Sequence, residues 1–392
     1  MTCYAPDQVR VAYGIKPLLD RGIDGRGQTV VLLEEPAGLS GGTDLRADLA
    51  LFDRLFGLPA AQLQVVTSLV HGASRWLAGA EEVADAEIVH ALAPAAVIRV
   101  VFFRATAGTG ASSAIAAIAA ALQLAMSQGG VISISYGWGE RCISPDGATQ
   151  LNSALQAARD RHVTVVASSG DLGAASLPCP GAGNASVPVK GVNLPASDPL
   201  VLAVGGTTLQ ASHVTGAYAG ETAWNTAPQP PLTAHSYASG GGFSGLFPRP
   251  AYQDGVPGTG RGRGVPDVAA DASWGAASTG MALAFAQPKG QYAVIPASGT
   301  SAAAALWAAV IALADQYAGH DLGFVDPALY RIGGSPSYHA AFHHITAGTN
   351  TVLFPPDTVT GYRASLGWNP VTGWGSPNAQ VLIPLLARYP SP

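Results

Sequence analysis

The run PASGTSAAAALW places Ser301 directly after Gly299 and Thr300 and ahead of an alanine-rich, helix-forming stretch. A hydroxyl at a helix N-terminus lies in the field of unpaired backbone amides, which favours a developing alkoxide. Gly299, Ala302 and Ala303 carry little side chain, so a substrate backbone can come close. The same residues also read as a Ser/Thr N-cap on a core helix, and chemistry at Ser301 requires a base. One candidate is the carboxyl pair in LAGAEEVADAEIVHALAPAA. Glu81 and Asp85 are spaced i,i+4, so on a helix both project from one face, whereas Glu82 and Glu87 point elsewhere. Two carboxyls at the edge of an apolar sheet do not both ionise cheaply, so one keeps its proton and the other accepts a hydrogen bond. Such a pair serves as a base in acid, where an imidazole is already protonated. A solvated acidic helix face gives the same spacing. His71 and His90 are the candidates for a conventional Ser-His-Asp hydrolase at neutral pH. His90 falls on a different helix face from Asp85, which favours a satisfied structural histidine. A non-catalytic binding protein is the third reading.

These residues need a scaffold. TVVLLEE, AVIRVVFFR, GVISISYG, HVTVVASSG and LVLAVGG are nearly continuous, β-branched apolar runs, as in strands covered on both faces. Helical patterns over 80–93, 111–127 and 149–161 separate them, which predicts a βαβ series and a doubly wound, mostly parallel sheet with helices on both faces. From 210 to 294 the chain is Gly/Pro-rich and reads largely as loops. No linker divides it, so residues 1–392 read as a single domain. Ligands of open parallel sheets bind beyond the carboxyl ends of the strands. Asp171, after VVASSG, and the segment Ser135 to Gly137, after ISI, stand there.

Composition narrows the setting. The 392 residues are 48% hydrophobic and 11% charged, against roughly 25% charged in ordinary soluble proteins, and carry a net charge of −5. A charge-poor surface gathers less self-repulsion when carboxylates protonate, which suits acid, although drift in an Ala/Gly-rich proteome leaves the same composition. No basic cluster points to nucleic acid. The longest apolar stretch is interrupted by glutamines and a Gly-Gly pair, so it reads as a buried helix and strand and not as a membrane span. The N-terminal MTCYAPDQVRVAYGI shows no basic or apolar leader, the pattern of a cytoplasmic protein or of a mature region. Of three cysteines, Cys142 and Cys179 lie in loop-like segments at two strand ends. Bridged, they close a loop of about 36 residues; unbridged, they are two buried thiols.

The ordered set EEVADAEIVHALAPAA, SISYGWGE, VVASSGDLGA, PASDPLVLAVGGTTL, SGGGFS, RGVPDVAADAS, SGTSAAAALWAAVIALADQ and TGWGSP resembles the catalytic domain of the sedolisins, the serine-carboxyl peptidases, which are similar in fold to subtilisin. The likeness runs over nearly the whole chain. It implies a secreted, monomeric peptidase working in acid on polypeptide substrates, with a propeptide preceding the catalytic domain. It implies Ser301 as nucleophile, Glu81 as general base, Asp85 as the group that orients and protonates Glu81, and Asp171 as an oxyanion donor that must be neutral to act. Glu34 matches a supporting Glu behind the pair. Ser135, Tyr136 and Gly137, with Ser169 and Gly170, match the segments that line the substrate groove. Tyr136 stands where many relatives carry Trp, and Ala305 replaces a common Pro.

The resemblance also implies calcium near the C-terminus, held by carboxylates in F-x-D-I-T and G-x-G-W-D stretches. Here those stretches read AFHHIT and ASLGWN. His344 and Asn369 take the two Asp positions, beside Ile345 and Gly367. Calcium binds oxygen and imidazole is a poor substitute, so no metal or other cofactor is expected, and hydrogen bonds among His344, Asn369 and their loop are expected to replace the ion.

Overall fold

The structure, a computed structural model, describes residues 3–36, 42–70, 77–104, 110–176, 179, 188–228, 230, 234–274, 279–287 and 291–389. Strand β1 (Thr29–Glu34) explains why its sequence is apolar throughout: Val30 and Leu32 enter one core, Val31 and Leu33 the other. Successive side chains alternate faces, so a strand covered on both sides has no polar position to spare. The chain continues through β2 (Gln62–Val66), α1 (Ala80–Leu92), β3 (Val97–Phe102), α2 (Ala111–Ala125), β4 (Val131–Ile134), α3 (Pro145–Arg159) and β5 (Thr164–Ser168). It then forms β6 (Leu202–Ala211), β7 (Tyr218–Ala223), β8 (Val268–Asp271) and α4 (Gly299–Ala318). The sheet order is β7-β6-β5-β4-β1-β3-β2, with β8 also joined to β6. Every ladder is parallel except β6 with β7. Helices α1 and α4 cover one face, α2 and α3 the other.

Two expectations need adjustment, and one open alternative is decided. Helix α3 begins at Pro145, a turn earlier than its apolar periodicity suggests, because the Ser144 hydroxyl caps it by accepting from Gly147 N at 3.1 Å and proline suits the first turn. The Gly/Pro-rich span, largely outside regular elements, also supplies β7, β8 and the hairpin of Ala282–Ala286 with Tyr292–Pro296. Cys142 and Cys179 are bridged.

Because β1, β4 and β5 run parallel, their carboxyl ends gather at one edge. Glu34 closes β1, Ser135 to Gly137 follow β4, and Ser169 to Asp171 follow β5. Helix α4 returns beneath them. Its alanines from Ala302 to Ala305 are buried and let the helix lie close on the sheet. Among the described residues α4 alone is long and apolar enough to cross a membrane, and here it is the core helix.

Candidate active site

The N-terminus of α4 is locked to the end of β5. Gly299 adopts φ +84°, and a Cβ there would sit 2.8 Å from Asp171 Oδ2, so any other residue is both strained and obstructed. Thr300 donates to Asp171 Oδ1 from its backbone N at 2.9 Å and from its hydroxyl at 2.7 Å. Gly170 N donates in turn to Thr300 Oγ1 at 3.0 Å. Asp171 Oδ1 is thus held by Thr300, and Oδ2 lies over Gly299. Burial raises the Asp171 carboxyl above its ordinary range against the pull of both Thr300 bonds, so the neutral form persists to higher pH than in a free aspartate.

Ser301 lies on the first turn of α4, half-buried, and its hydroxyl hydrogen-bonds the Glu81 carboxyl. Glu81 is on the first turn of α1, and Asp85 follows one turn later, fully buried. Glu34 is also fully buried. Among the described residues neither Glu34 oxygen, nor Glu81 Oε1, nor Asp85 Oδ1 receives an N–H or hydroxyl donor. Asp85 Oδ2 accepts from the Ser135 hydroxyl at 2.5 Å, and Glu34 hydrogen-bonds Asp85. Buried carboxyl oxygens without outside donors are satisfied by protons that the carboxyls themselves carry. Burial raises both glutamates well above the usual carboxylate range, with Asp85 the next cause in each case. It pushes Asp85 up to about 7, against hydrogen bonds from Ser135 and Glu34. The cluster therefore holds several protons in acid and loses them stepwise as a unit.

Of the expected groove residues, Ser135, Tyr136 and Gly137 leave the sheet half-exposed. They make no main-chain hydrogen bond among the described residues. Gly137 backs onto Leu194, whose carbonyl oxygen would lie 2.7 Å from a Cβ. Tyr136 packs edge-on to Phe103 at 5.8 Å, and its hydroxyl points to the Glu35 carbonyl at 3.5 Å. Ser169 and Gly170 behave differently. Ser169 is buried, its N donates to Val204 O and its carbonyl accepts from Asn193 Nδ2, while the Gly170 carbonyl accepts from Gly240 N. With their main-chain groups already engaged, these two support Asp171 and do not offer a second edge to a peptide. Ala238 N completes the brace by donating to Asp171 O at 2.8 Å.

His90 does not serve Ser301. It is buried with Nε2 2.9 Å from Asp53 Oδ1 and from Pro59 O, and burial lowers its basicity. His71 lies outside the described residues. Sequence reasoning missed Thr300, the partner of Asp171, and the aromatic wall of the cavity beside Glu81 and Asp171, formed by Trp224, Tyr237 and Trp274. Thr300 was legible as the neighbour of Ser301. The three rings come from separate segments of the chain, whose meeting no local pattern announces.

The stretches where calcium would be expected do not fit a hard cation. The Asn369 amide nitrogen donates to Ser365 O at 3.0 Å and to Thr372 Oγ1 at 3.2 Å, with Gly367 O and Gly373 O at 3.4 Å. Its oxygen is taken by Val371 N and Thr372 N, both at 3.1 Å. The amide thus presents hydrogen to the oxygens a cation would gather. The His344 ring stacks on Tyr338 at 4.5 Å and meets His339 edge-on. It is packed among rings and not hydrogen-bonded to Asn369, contrary to the expectation from sequence. Ile345 is buried, and Gly367 turns the loop with φ +81°.

A family model described as the Subtilase family matches residues 70–326. The chain belongs to the subtilase family. Within that family its likeness is to the sedolisins, as the motifs imply. It is 35% identical to kumamolisin from Bacillus sp. (strain MN-32) over 389 residues, covering 96% of this chain and 62% of that protein. It is 35% identical to sedolisin from Pseudomonas sp. (strain 101) over 248 residues, 63% of this chain and 39% of that one. With human tripeptidyl-peptidase 1 it shares 30% identity over 281 residues, 65% of this chain and 43% of the relative. The subtilase chain thus spans less than two thirds of the length of these relatives. The solved structure of Pseudomonas sedolisin, a serine-carboxyl proteinase, superposes with a TM-score of 0.79 at 26% identity, covering 99% of this chain and 98% of that one. The fold class read from the strands and helices holds.

Proposed function

We propose that this subtilase is an acid-acting serine-carboxyl peptidase that cleaves unfolded polypeptide through an acyl-enzyme on Ser301. The observation that carries the reading is the Ser301 hydroxyl on the Glu81 carboxyl, with Asp85 and Glu34 hydrogen-bonded to each other and buried beside it, which offers a nucleophile and a carboxyl base with no imidazole between them. Glu81 takes the Ser301 proton as the hydroxyl attacks the scissile carbonyl, and Asp85, protonated, steadies Glu81 while Ser135 fixes Asp85 Oδ2. Glu34 supplies a further proton from behind. Asp171, neutral, donates to the tetrahedral oxyanion. Glu81 then passes the proton to the leaving amine, and water releases the acyl group by the same steps. The free edge at Ser135 to Gly137 suits an extended peptide, paired by main-chain hydrogen bonds. The likeness to secreted peptidases, the Cys142–Cys179 bridge and the carboxyl chemistry support an oxidising, acidic, extracellular setting, with a propeptide as an additional partner.

Incubation with an acid-denatured protein, followed by mass spectrometry, tests the reading. Cleavage at peptide bonds supports it, and turnover of esters or glycosides alone sinks it. The loop at Asn369 gives a second prediction: the protein needs no calcium there. Thermal melts at about pH 4 with excess calcium and with chelator should coincide within about a degree, because a ligand that does not bind cannot shift the equilibrium. A chelator-induced fall of several degrees would show that an ion holds the loop after all.

A further inference from the structure

Acyl transfer divides a peptide substrate at Ser301. The half that acylates the enzyme runs along Ser135 to Gly137; the half that leaves begins at the amine that Glu81 protonates. A cavity of about 320 Å³ is lined by Glu81, Asp171, Ser298 and Gly299 on one side and by Trp224, Tyr237 and Trp274 on the other. It takes no lining from Ser135 to Gly137, so it opens on the leaving side of the nucleophile. Its volume is at the low end for ligand sites, room for one large side chain.

The rings are fixed in place. Tyr237 and Trp274 are half-buried and meet edge to face, 5.4 Å between centroids at 68°. Trp224 Nε1 donates to Thr226 Oγ1 at 3.0 Å, and that hydroxyl donates to the Trp274 carbonyl at 2.9 Å. Tyr237 pairs with Thr226 in a short antiparallel ladder, and the next residue, Ala238, is bonded to Asp171 O. The aromatic wall and the oxyanion loop are one framework. Among the described residues the lining contains no Lys or Arg, so beyond the Glu81 and Asp171 carboxyls the cavity offers ring faces.

We propose that this cavity receives the side chain of the residue that becomes the new amino terminus after cleavage, and that Tyr237 and Trp274 select large apolar or aromatic side chains there. The assignment rests on the peptidase reading, and two measurements separate them. Peptides of constant acyl sequence carrying Phe or Ala just after the scissile bond should differ by about tenfold in kcat/KM, in favour of Phe. The ratio should fall below about threefold in Trp274→Ala and in Tyr237→Ala, and Trp274→Phe should restore it. In Ser301→Ala, calorimetry should show Phe-Ala binding about tenfold more tightly than Ala-Ala, a preference lost when Trp274→Ala is added. A Phe/Ala ratio near one, or one that the ring variants leave unchanged while peptides are cleaved, overturns the assignment. Ring-dependent dipeptide binding without cleavage of any peptide supports the cavity and sinks the peptidase reading.

Discussion

Ser301→Ala is expected to lower peptide turnover by about 10,000-fold or more while the melting temperature stays within a few degrees of the parent. The hydroxyl is half-buried at the start of a helix whose packing rests on Ala302 to Asp315, so its loss removes chemistry and little of the core. Glu81→Gln is expected to cost about a thousandfold or more, because the amide still meets the Ser301 hydroxyl but cannot take its proton. Together the two variants act as one unit, and the double variant should be little worse than Ser301→Ala alone. Peptide kinetics at saturating substrate decide the matter; turnover within tenfold of the parent in either single variant would remove that residue from the mechanism.

The second large effect concerns Asp171. Asp171→Ala removes the oxyanion donor and the acceptor of both Thr300 bonds, and should cost about a hundred- to a thousandfold in kcat. Asp171→Asn is the sharper experiment. Asn keeps an oxygen for Thr300 and donates from nitrogen without needing a proton. The Asp171 carboxyl donates only below its raised pKa, so in the parent this contribution is present in acid and lost as pH rises through that value. The Asn variant should therefore retain more activity than Ala and hold it further toward neutral pH. An unchanged alkaline limb would assign the limb to Glu34, Glu81 and Asp85 instead.

The sequence made the scaffold readable where burial is two-sided. β1, β3, β4 and β5 are apolar at nearly every position, and their helices alternate with them, so the parallel direction follows from the βαβ rule. β2 escaped because it lies at the sheet edge: Gln62 and Gln64 are exposed and interrupt the apolar run that marks the inner strands. β8 escaped because four short residues in Gly-rich surroundings carry no period. At the site, Ser301, Glu81, Asp85 and Asp171 were visible through spacing and resemblance. The hydroxyl of Ser135, expected in the groove, turns to Asp85 Oδ2, while Oδ1 of that buried carboxyl meets no donor among the described residues. The aromatic wall assembles from residues 224, 237 and 274, whose proximity depends on how the Gly/Pro-rich span wraps the oxyanion loop. That AFHHIT and ASLGWN place His344 and Asn369 where carboxylates were expected was legible, but how the Asn369 amide is used was not: whether it turns its nitrogen or its oxygen to the loop carbonyls is settled by the two backbone N–H groups facing its oxygen.

In the proposed mechanism a carboxyl cluster, not an imidazole, activates Ser301. The rate at which a fluorophosphonate labels Ser301, followed from about pH 3 to pH 9 by mass spectrometry of the modified peptide, tests it most directly. The cluster must lose one proton for Glu81 to accept another and must keep a second beside it, and burial with mutual repulsion raises these carboxyls, Asp85 to about 7. Labelling should therefore pass through a maximum in acid, near pH 4 to 6, and be at least about tenfold slower at pH 8. A rate that climbs steadily to a plateau at about pH 8, as an imidazole base would give, would contradict the account.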